Sequence, residues 1–486
     1  MELVTKMEGY IPQEQRKKIL LLCDDIRTHS GIGTVAKEIV LHTAHHYNWV
    51  QVGAAINHPE QGKRLDISEE TNKLIGVSDS SVVIYPSNGY GSSDLVRQLI
   101  QVEKPDAIFI FTDPRYWVWL FRIENEIRRK IPIVYLNIWD DYPAPMYNKT
   151  YYESCDALFG ISKQTVNINH LVLGDKAKNK MICYVPHGLN HKMMFPIDES
   201  YEKYGEFKEF KSKLFGDVEY DFVAFYNSRN IRRKQVPDTI WAYKQFVDRL
   251  PLEQAKKCAL VLHTQLVDEN GTDLPAVIEA LCGNDPDRYN IIFSTERLDT
   301  ERMNYLYNCT DVQIQLTSNE GWGLSLTEAL LVGNPIIANV TGGMQDQMRF
   351  VDENGEWYEP DANIPSNHRG TYKQHGKWAF PVYPSNISIV GSPPTPYIFD
   401  DRCDPKDAAD RLFEVYSMGK EELSEVGNLG REWVLSEEAG FTSENMAKRI
   451  MSNMNVLLNK WQPREKYELI KVGSREIKSV PHKLEY

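Results

Sequence analysis

The chain has 486 residues, 42% of them hydrophobic and 11% aromatic, and carries a formal net charge of −13. That length predicts two domains, each large enough for its own core, and that composition excludes intrinsic disorder. The acidic balance argues against broad binding to nucleic acid or anionic membranes, so no stable nucleic-acid complex is expected. Cys23, Cys155, Cys183, Cys258, Cys282, Cys309 and Cys403 form no C-x-x-C pair, which predicts buried free thiols in a reducing compartment. The first 18 residues are polar and do not read as a signal peptide. No apolar run approaches the ~18 residues of a transmembrane segment. The expectation is a cytoplasmic protein; its oligomeric state is left open.

In chain order, residues 19–23 form a short apolar run read as a buried strand, followed by a loop over 24–33 and a helix from about 34 to 46. Gly31, Ile32 and Gly33 stand at that junction, where glycines serve a tight turn or a ligand contact at a helix start. Further strands are expected at 50–54, 82–85, 107–112, 133–137, 157–161 and 182–185, with helices between, such as 94–103 and 117–130. Strands alternating with helices predict a doubly wound parallel sheet. Two strand ends carry acids, Asp113 and Asp140, which in such a sheet point to the crevice. Each also fits a turn aspartate or a helix cap. His187, in the segment VPHGLN over 185–190, reads as a turn residue first and a ligand contact second. The polar stretch 197–217 reads as an interdomain linker or a surface helix.

The second half opens with a strand at 221–226, then NSRNIRRKQ over 227–235, then a helix from 237. Arg229 offers a planar fork for phosphate oxygens and Lys234 a mobile point charge. The same run fits a solvated basic loop, and Arg232 and Arg233 are extra cations. Strands follow at 259–263, 290–293 and 312–316; Thr295 lies just past the second of these. Then comes Glu320, the flexible Gly321-Trp322-Gly323, and an apolar helix that begins near Leu324 and carries Glu328, eight residues from the first acid. The glycines let backbone N–H groups approach a ligand, and the helix start suits a diphosphate. Carboxylates accept hydrogen bonds from sugar and ribose hydroxyls. Ser325 to Glu328 also fits a capping box, and Glu320 also fits a solvated loop acid. A strand at 335–338 and a Thr-Gly-Gly turn at 341–343 follow. Residues 352–397, rich in Pro, Gly, Tyr and Trp, read as an insertion before a last strand near 397–400. Such a segment either covers a cleft or packs as a surface excursion. Helices at 404–417, 420–435 and 442–461 and a polar tail at 462–486 finish the chain.

The run EGWGLSLTE over 320–328 resembles the E-x7-E motif of retaining GT-B glycosyltransferases, in particular family GT4. GNPIIA over 333–338 and TGG over 341–343 resemble the segments that follow it, and the likeness is strongest over 221–346. The resemblance implies an α/β GT-B fold of two facing Rossmann-like, doubly wound parallel-sheet domains. These would be an N-terminal acceptor-side domain (1–196), a linker (197–217), a donor-binding domain (218–440) with the insertion 352–397, and a C-terminal crossover helix and tail (441–486). It implies a retaining, metal-independent transfer from a nucleotide diphosphate sugar, a UDP-sugar favoured, to a hydroxyl of a glycan, a lipid-linked sugar or another polymer, with no further cofactor. In that reading Arg229 and Lys234 clamp the diphosphate and Glu320 orients the sugar. Gly31, Ile32, Gly33, Thr295, Gly321, Trp322, Gly323, Leu324 and Glu328 complete donor binding. Family members often place a histidine in one of the loops that here carry Asp113 and Asp140; neither loop has one, and either aspartate stands as its replacement. VPHGLN resembles the family's PNGVD passage, with His187 and Asn190 in place of Asn and Asp. Alternatives are glucosylation of hydroxymethylated DNA bases, a glucan phosphorylase, or a non-catalytic binder of sugar nucleotides.

Overall fold

A computed structural model describes residues 8–55, 57–216, 218–283, 285–359 and 372–465. Two sheets carry the architecture. The first contains β1 (Lys17–Asp24), β2 (Tyr47–Ala54), β3 (Leu65–Asp66), β4 (Val82–Pro86), β5 (Ala107–Phe111), β6 (Ile133–Asn137), β7 (Ala157–Gly160) and β8 (Met181–Tyr184), in the order β3-β4-β2-β1-β5-β6-β7-β8. Every pairing is parallel except β3 with β4. The second contains β9 (Phe222–Asn227), β10 (Cys258–His263), β11 (Ile291–Ser294), β12 (Val312–Gln315), β13 (Ile336–Asn339) and β14 (Ala379–Val382), all parallel, in the order β11-β10-β9-β12-β13-β14. Residues 19–23 and 258–262 are fully buried. Such unbroken apolar runs are what strands need when helices cover both faces of the sheet. In both sheets the strand order reverses beside the first strand, β1 or β9. The crevice at that reversal, beyond the strand C-termini, is where an open sheet of this kind binds ligands.

Three segments differ from the sequence reading. Residues 352–397 are not wholly an insertion, because β14 within them is the sixth strand of the second sheet and pairs in register with β13 from Ile336↔Ala379 to Asn339↔Val382. The strand expected near 397–400 belongs instead to an antiparallel hairpin, β15 (Asn386–Ser392) with β16 (Thr395–Arg402). Pro381 suits β14 because that strand is a sheet edge, where a missing N–H costs nothing. Residues 360–371 of the segment lie outside the described residues. The helix expected over 117–130 is broken into Pro114–Trp117, Val118–Arg122 and Glu124–Ile127.

Within 197–217, Tyr204–Phe215 is a helix whose Phe207 and Phe210 rings pack edge-on against Tyr305. Pro405–Leu435 runs as one helix with a kink at Gly419, whose φ of +73° separates the two halves that the sequence suggests. Ser443–Lys460 returns to the first sheet: Ser443 Oγ donates to Glu38 (2.7 Å) and Tyr47 OH donates to Asn455 (3.1 Å). The expected tail lies outside the described residues from 466 onward. No described helix is long and apolar enough to cross a membrane.

Candidate functional site

A cleft of about 1140 Å³ opens where the C-terminal ends of the two sheets meet. On the first-sheet side it is lined by the start of the helix Gly31–Thr43 and by Asp113, Asp140 and His187. Ser30 caps that helix, accepting from Gly33 N (2.9 Å) while donating to Asp24 (2.9 Å). Gly31 and Ile32 therefore face the cleft, whereas Gly33 stands behind them. Asp113 caps the turn Pro114–Trp117 and holds the Arg115 guanidinium, with Nε 2.8 Å from Oδ1. Burial raises the Asp140 carboxyl against the pull of Arg233. His187 is 5% exposed, with its ring edge-on to Phe111 and Trp322, and burial drives its pKa down to about 3, so the imidazole is neutral.

The second-sheet side carries the charge. Past β9 the chain makes a tight turn at Arg232–Lys234, and Gln235, in the left-handed region at φ +51°, leads into the helix Val236–Val247. This turn is sewn to the Glu320 loop: Ser318 N and Thr317 Oγ donate to Arg233 O at 2.8 and 2.9 Å. Lys234 Nζ and Arg233 Nη1 both donate to Glu320 Oε2, the arginine at 3.1 Å, and Arg233 also reaches Asn319 O at 2.7 Å. Burial alone would raise the Glu320 carboxyl, but the two cations outweigh it and hold the pKa at about 2.

Arg229 lines the cleft too, yet its guanidinium is held by Asp268, with Nε 2.7 Å from Oδ2, and its side chain is 57% exposed. The arginine that meets Glu320 is thus Arg233. By sequence Arg233 is only an extra cation, because three arginines in one short loop look alike until the turn places them.

Glu328 sits on the helix Leu324–Leu331, whose N-terminus opens into the cleft at Gly323, φ +86°. The helix has no side-chain cap, which rules out the capping box. Glu328 instead accepts from Tyr307 OH (2.6 Å) and Asn227 Nδ2 (3.3 Å), two partners with no signal in the sequence. Burial raises its pKa to about 7 despite those bonds. Trp322 lines the wall, but its indole is 2% exposed and donates to Thr327 (3.0 Å) within the core. The Thr-Gly-Gly turn buttresses the loop: Gly343 N donates to Glu320 O (3.0 Å). A Cβ on Gly342 would lie 2.0 Å from Glu320 O, so that position must be glycine. Thr295, Gly321 and Leu324 also line the cleft, Thr295 beside the end of β11.

The described residues therefore bring Glu320, Glu328, Arg229 and Lys234 to one crevice, together with the helix start at Gly31. Among them, no cluster of three or more His, Cys, Asp or Glu is arranged to hold a metal ion.

No protein-family model matches the sequence, and a search of curated protein sequences finds no match to it. Solved structures do resemble it. Anabaena Alr3699/HepE in complex with UDP and glucose superposes with a TM-score of 0.60 at 13% identity, over 91% of this chain and 100% of that one. Sucrose-phosphate synthase from Thermosynechococcus elongatus gives 0.60 at 13% identity, over 91% and 100%. An alpha,alpha-trehalose 6-phosphate synthase from Burkholderia multivorans gives 0.61 at 10% identity, over 91% and 99%. The fold is GT-B. At such identities the likeness establishes the architecture alone, two sheets facing across a cleft, and the chemistry rests on the side chains.

Proposed function

We propose that the protein is a glycosyltransferase that moves a sugar from a nucleotide diphosphate sugar, a UDP-sugar favoured, to an acceptor hydroxyl. The observation that carries this reading is the convergence of Lys234, Arg233 and Glu320 beside a helix N-terminus in one cleft. Two cations and free helix N–H groups suit a diphosphate. Glu320, ionised across the physiological range, suits the hydroxyls of the transferred sugar. Two of the structural neighbours fit the same chemistry: one holds UDP and glucose, and another is a sucrose-phosphate synthase.

In this reading the nucleotide base lies near Thr295 and the ribose hydroxyls reach Glu328. The diphosphate meets Lys234, Arg233 and the start of the helix Leu324–Leu331. Arg229 exchanges Asp268 for phosphate oxygens. As the glycosidic bond breaks, charge grows on the leaving phosphate, and fixed cations already aimed there lower the barrier without reorganising. Such a site works without a bound metal, since the lysine and arginine take the place of a cation. Transfer proceeds with retention by front-face attack: the leaving phosphate takes the acceptor proton, and Glu320 orients the sugar without attacking it. Asp140, whose carboxyl feels Arg233 and Glu320, faces the sugar from the opposite wall, and Asp113 is tied to Arg115. Closure of the two lobes excludes water and limits hydrolysis.

A thermal-shift screen with UDP-, GDP- and ADP-glucose tests the proposal, because a ligand that binds only the native state raises the melting temperature. At least one of the three is expected to raise it by several degrees. No shift with any nucleotide sugar would overturn the reading.

A further inference from the structure

Strand β16 threads between the loops that carry the cleft's acids. On the second-sheet side, Asp401 N donates to Ser318 O (3.0 Å) and Asn319 Nδ2 donates to Phe399 O (3.3 Å); Ser318 and Asn319 immediately precede Glu320. On the first-sheet side, Phe399 N donates to Tyr142 O (2.8 Å), Tyr147 OH to Tyr397 O (2.8 Å) and Tyr397 OH to Ala144 O (3.3 Å), all in the loop just past Asp140. At the start of the strand, the Thr395 hydroxyl accepts from Arg115, the same guanidinium that grips Asp113. Its far end is anchored in the second lobe, where Asn339 Nδ2 donates to Asp401 O (2.7 Å) and Arg402 reaches Asp238 (2.7 Å). Ile398 and Phe399 pack against the first-lobe core. Thr395 and Ile398 face the cleft.

A single strand thus spans both lobes and is bonded to each acid-bearing loop. A cleft of about 1140 Å³ exceeds the roughly 300–1,000 Å³ of an ordinary small-molecule site, which leaves space for an acceptor beside a sugar nucleotide. The end of the cleft next to Asp113 and Asp140 is the one that β16 closes. Building on the transferase reading, we infer that β16 is the acceptor-side wall. It positions the Glu320 loop against the Asp140 loop, and with Thr395 and Ile398 it restricts the acceptor to a small hydroxyl compound of one or two sugar rings. A longer glycan reaching towards Asp113 and Asp140 would meet this strand. Thr395 and Tyr397 are positioning residues in this account, since they act through Arg115 and the Asp140 loop.

The test has two arms. Hydrogen exchange on the whole protein, with no ligand, compares wild type, Thr395→Val, Thr395→Ser and Tyr397→Phe. Faster exchange is expected over 113–118 in Thr395→Val, with recovery in Thr395→Ser, which keeps the hydroxyl, and over 140–147 in Tyr397→Phe. Unchanged exchange in both loops would overturn the positioning role, whatever the donor proves to be. The second arm uses the nucleotide sugar selected by thermal shift, with glucose, maltose, maltotriose and maltotetraose as acceptors and water as the competing one. Wild type is expected to use none longer than maltose. In Thr395→Val, donor hydrolysis relative to transfer, or absolute hydrolysis if no saccharide is used, should rise about tenfold while the donor dissociation constant stays within about twofold. Equal wild-type rates on glucose and maltotetraose would overturn the size limit, as would unchanged hydrolysis in the variant. Failure of every nucleotide sugar to bind would sink the transferase reading and with it the size limit, leaving the exchange arm to judge the wall alone.

Discussion

Glu320 and Glu328 lie eight residues apart in one motif and line one cleft, yet they occupy opposite electrostatic surroundings. Around Glu320 two cations overcome burial and hold the carboxyl at about 2. Among the described residues no cation is bonded to Glu328, the partners are a phenol and an amide, and burial lifts the carboxyl to about 7. The same residue type is therefore a fixed anion at one end of the motif and a titrating group at the other. The first suits the reacting end of a donor, where charge moves. The second suits neutral ribose hydroxyls, which need an acceptor but no strong field.

The widest way to break that contrast is to neutralise the fixed anion. Glu320→Gln should lower kcat by about 10² to 10³-fold with a small change in donor KM, because the lost interaction belongs to the transition state. Steady-state kinetics on the donor read it directly, and an equal fall in kcat/KM through KM alone would place Glu320 in ground-state binding instead. Next in size is the choice of arginine. Arg233→Ala should weaken turnover about tenfold more than Arg229→Ala, since only Arg233 already touches the Glu320 cluster and charged hydrogen bonds are the strong ones. The reverse order would make Arg229, once it has left Asp268, the principal clamp in place of Arg233.

Smaller effects come from the titrating end. Ionised Glu328 is the better acceptor, so donor affinity should rise several-fold as pH increases through about 7. Glu328→Gln should flatten that profile, as read by dissociation constants from pH 5.5 to 8.5. The smallest effect is on stability. The folded pKa of Glu328 lies above its ordinary 4.5, so the folded state binds more protons between those values. Its stabilising contribution is complete below about pH 4.5 and fades as pH rises through 7. Glu320, held at about 2, behaves inversely: its contribution is present above about 4.5 and is lost as pH falls towards 2. Urea melts of the two Glu→Gln variants against wild type should therefore diverge in opposite directions with pH.

Much of this was legible from residue order. The apolar runs at 19–23, 107–112 and 312–316 become buried parallel strands because a strand covered on both faces has no polar side to show. The acid, glycine and helix-start pattern of 320–328 maps onto a strand-end loop for the same reason. What was not legible depends on contacts between distant segments. β14 is four residues long, contains a proline and sits among Gly and aromatic residues, so nothing local marks it as part of the sheet. Arg233 is distinguished from Arg229 only by the turn at Arg232–Lys234. The raised pKa of Glu328 comes from burial, held back by Tyr307, whose helix precedes it by a whole strand. The bridging role of β16 follows from its bonds to two lobes, which no periodicity encodes.

Calorimetric titration of wild type and Lys234→Ala with UDP-, GDP- and ADP-glucose tests the gripping of a sugar nucleotide most directly. The account predicts saturable binding of at least one of them to wild type, and a loss of about tenfold or more in affinity when the ammonium is removed. Equal affinity in the two proteins, or no binding by either, would contradict it.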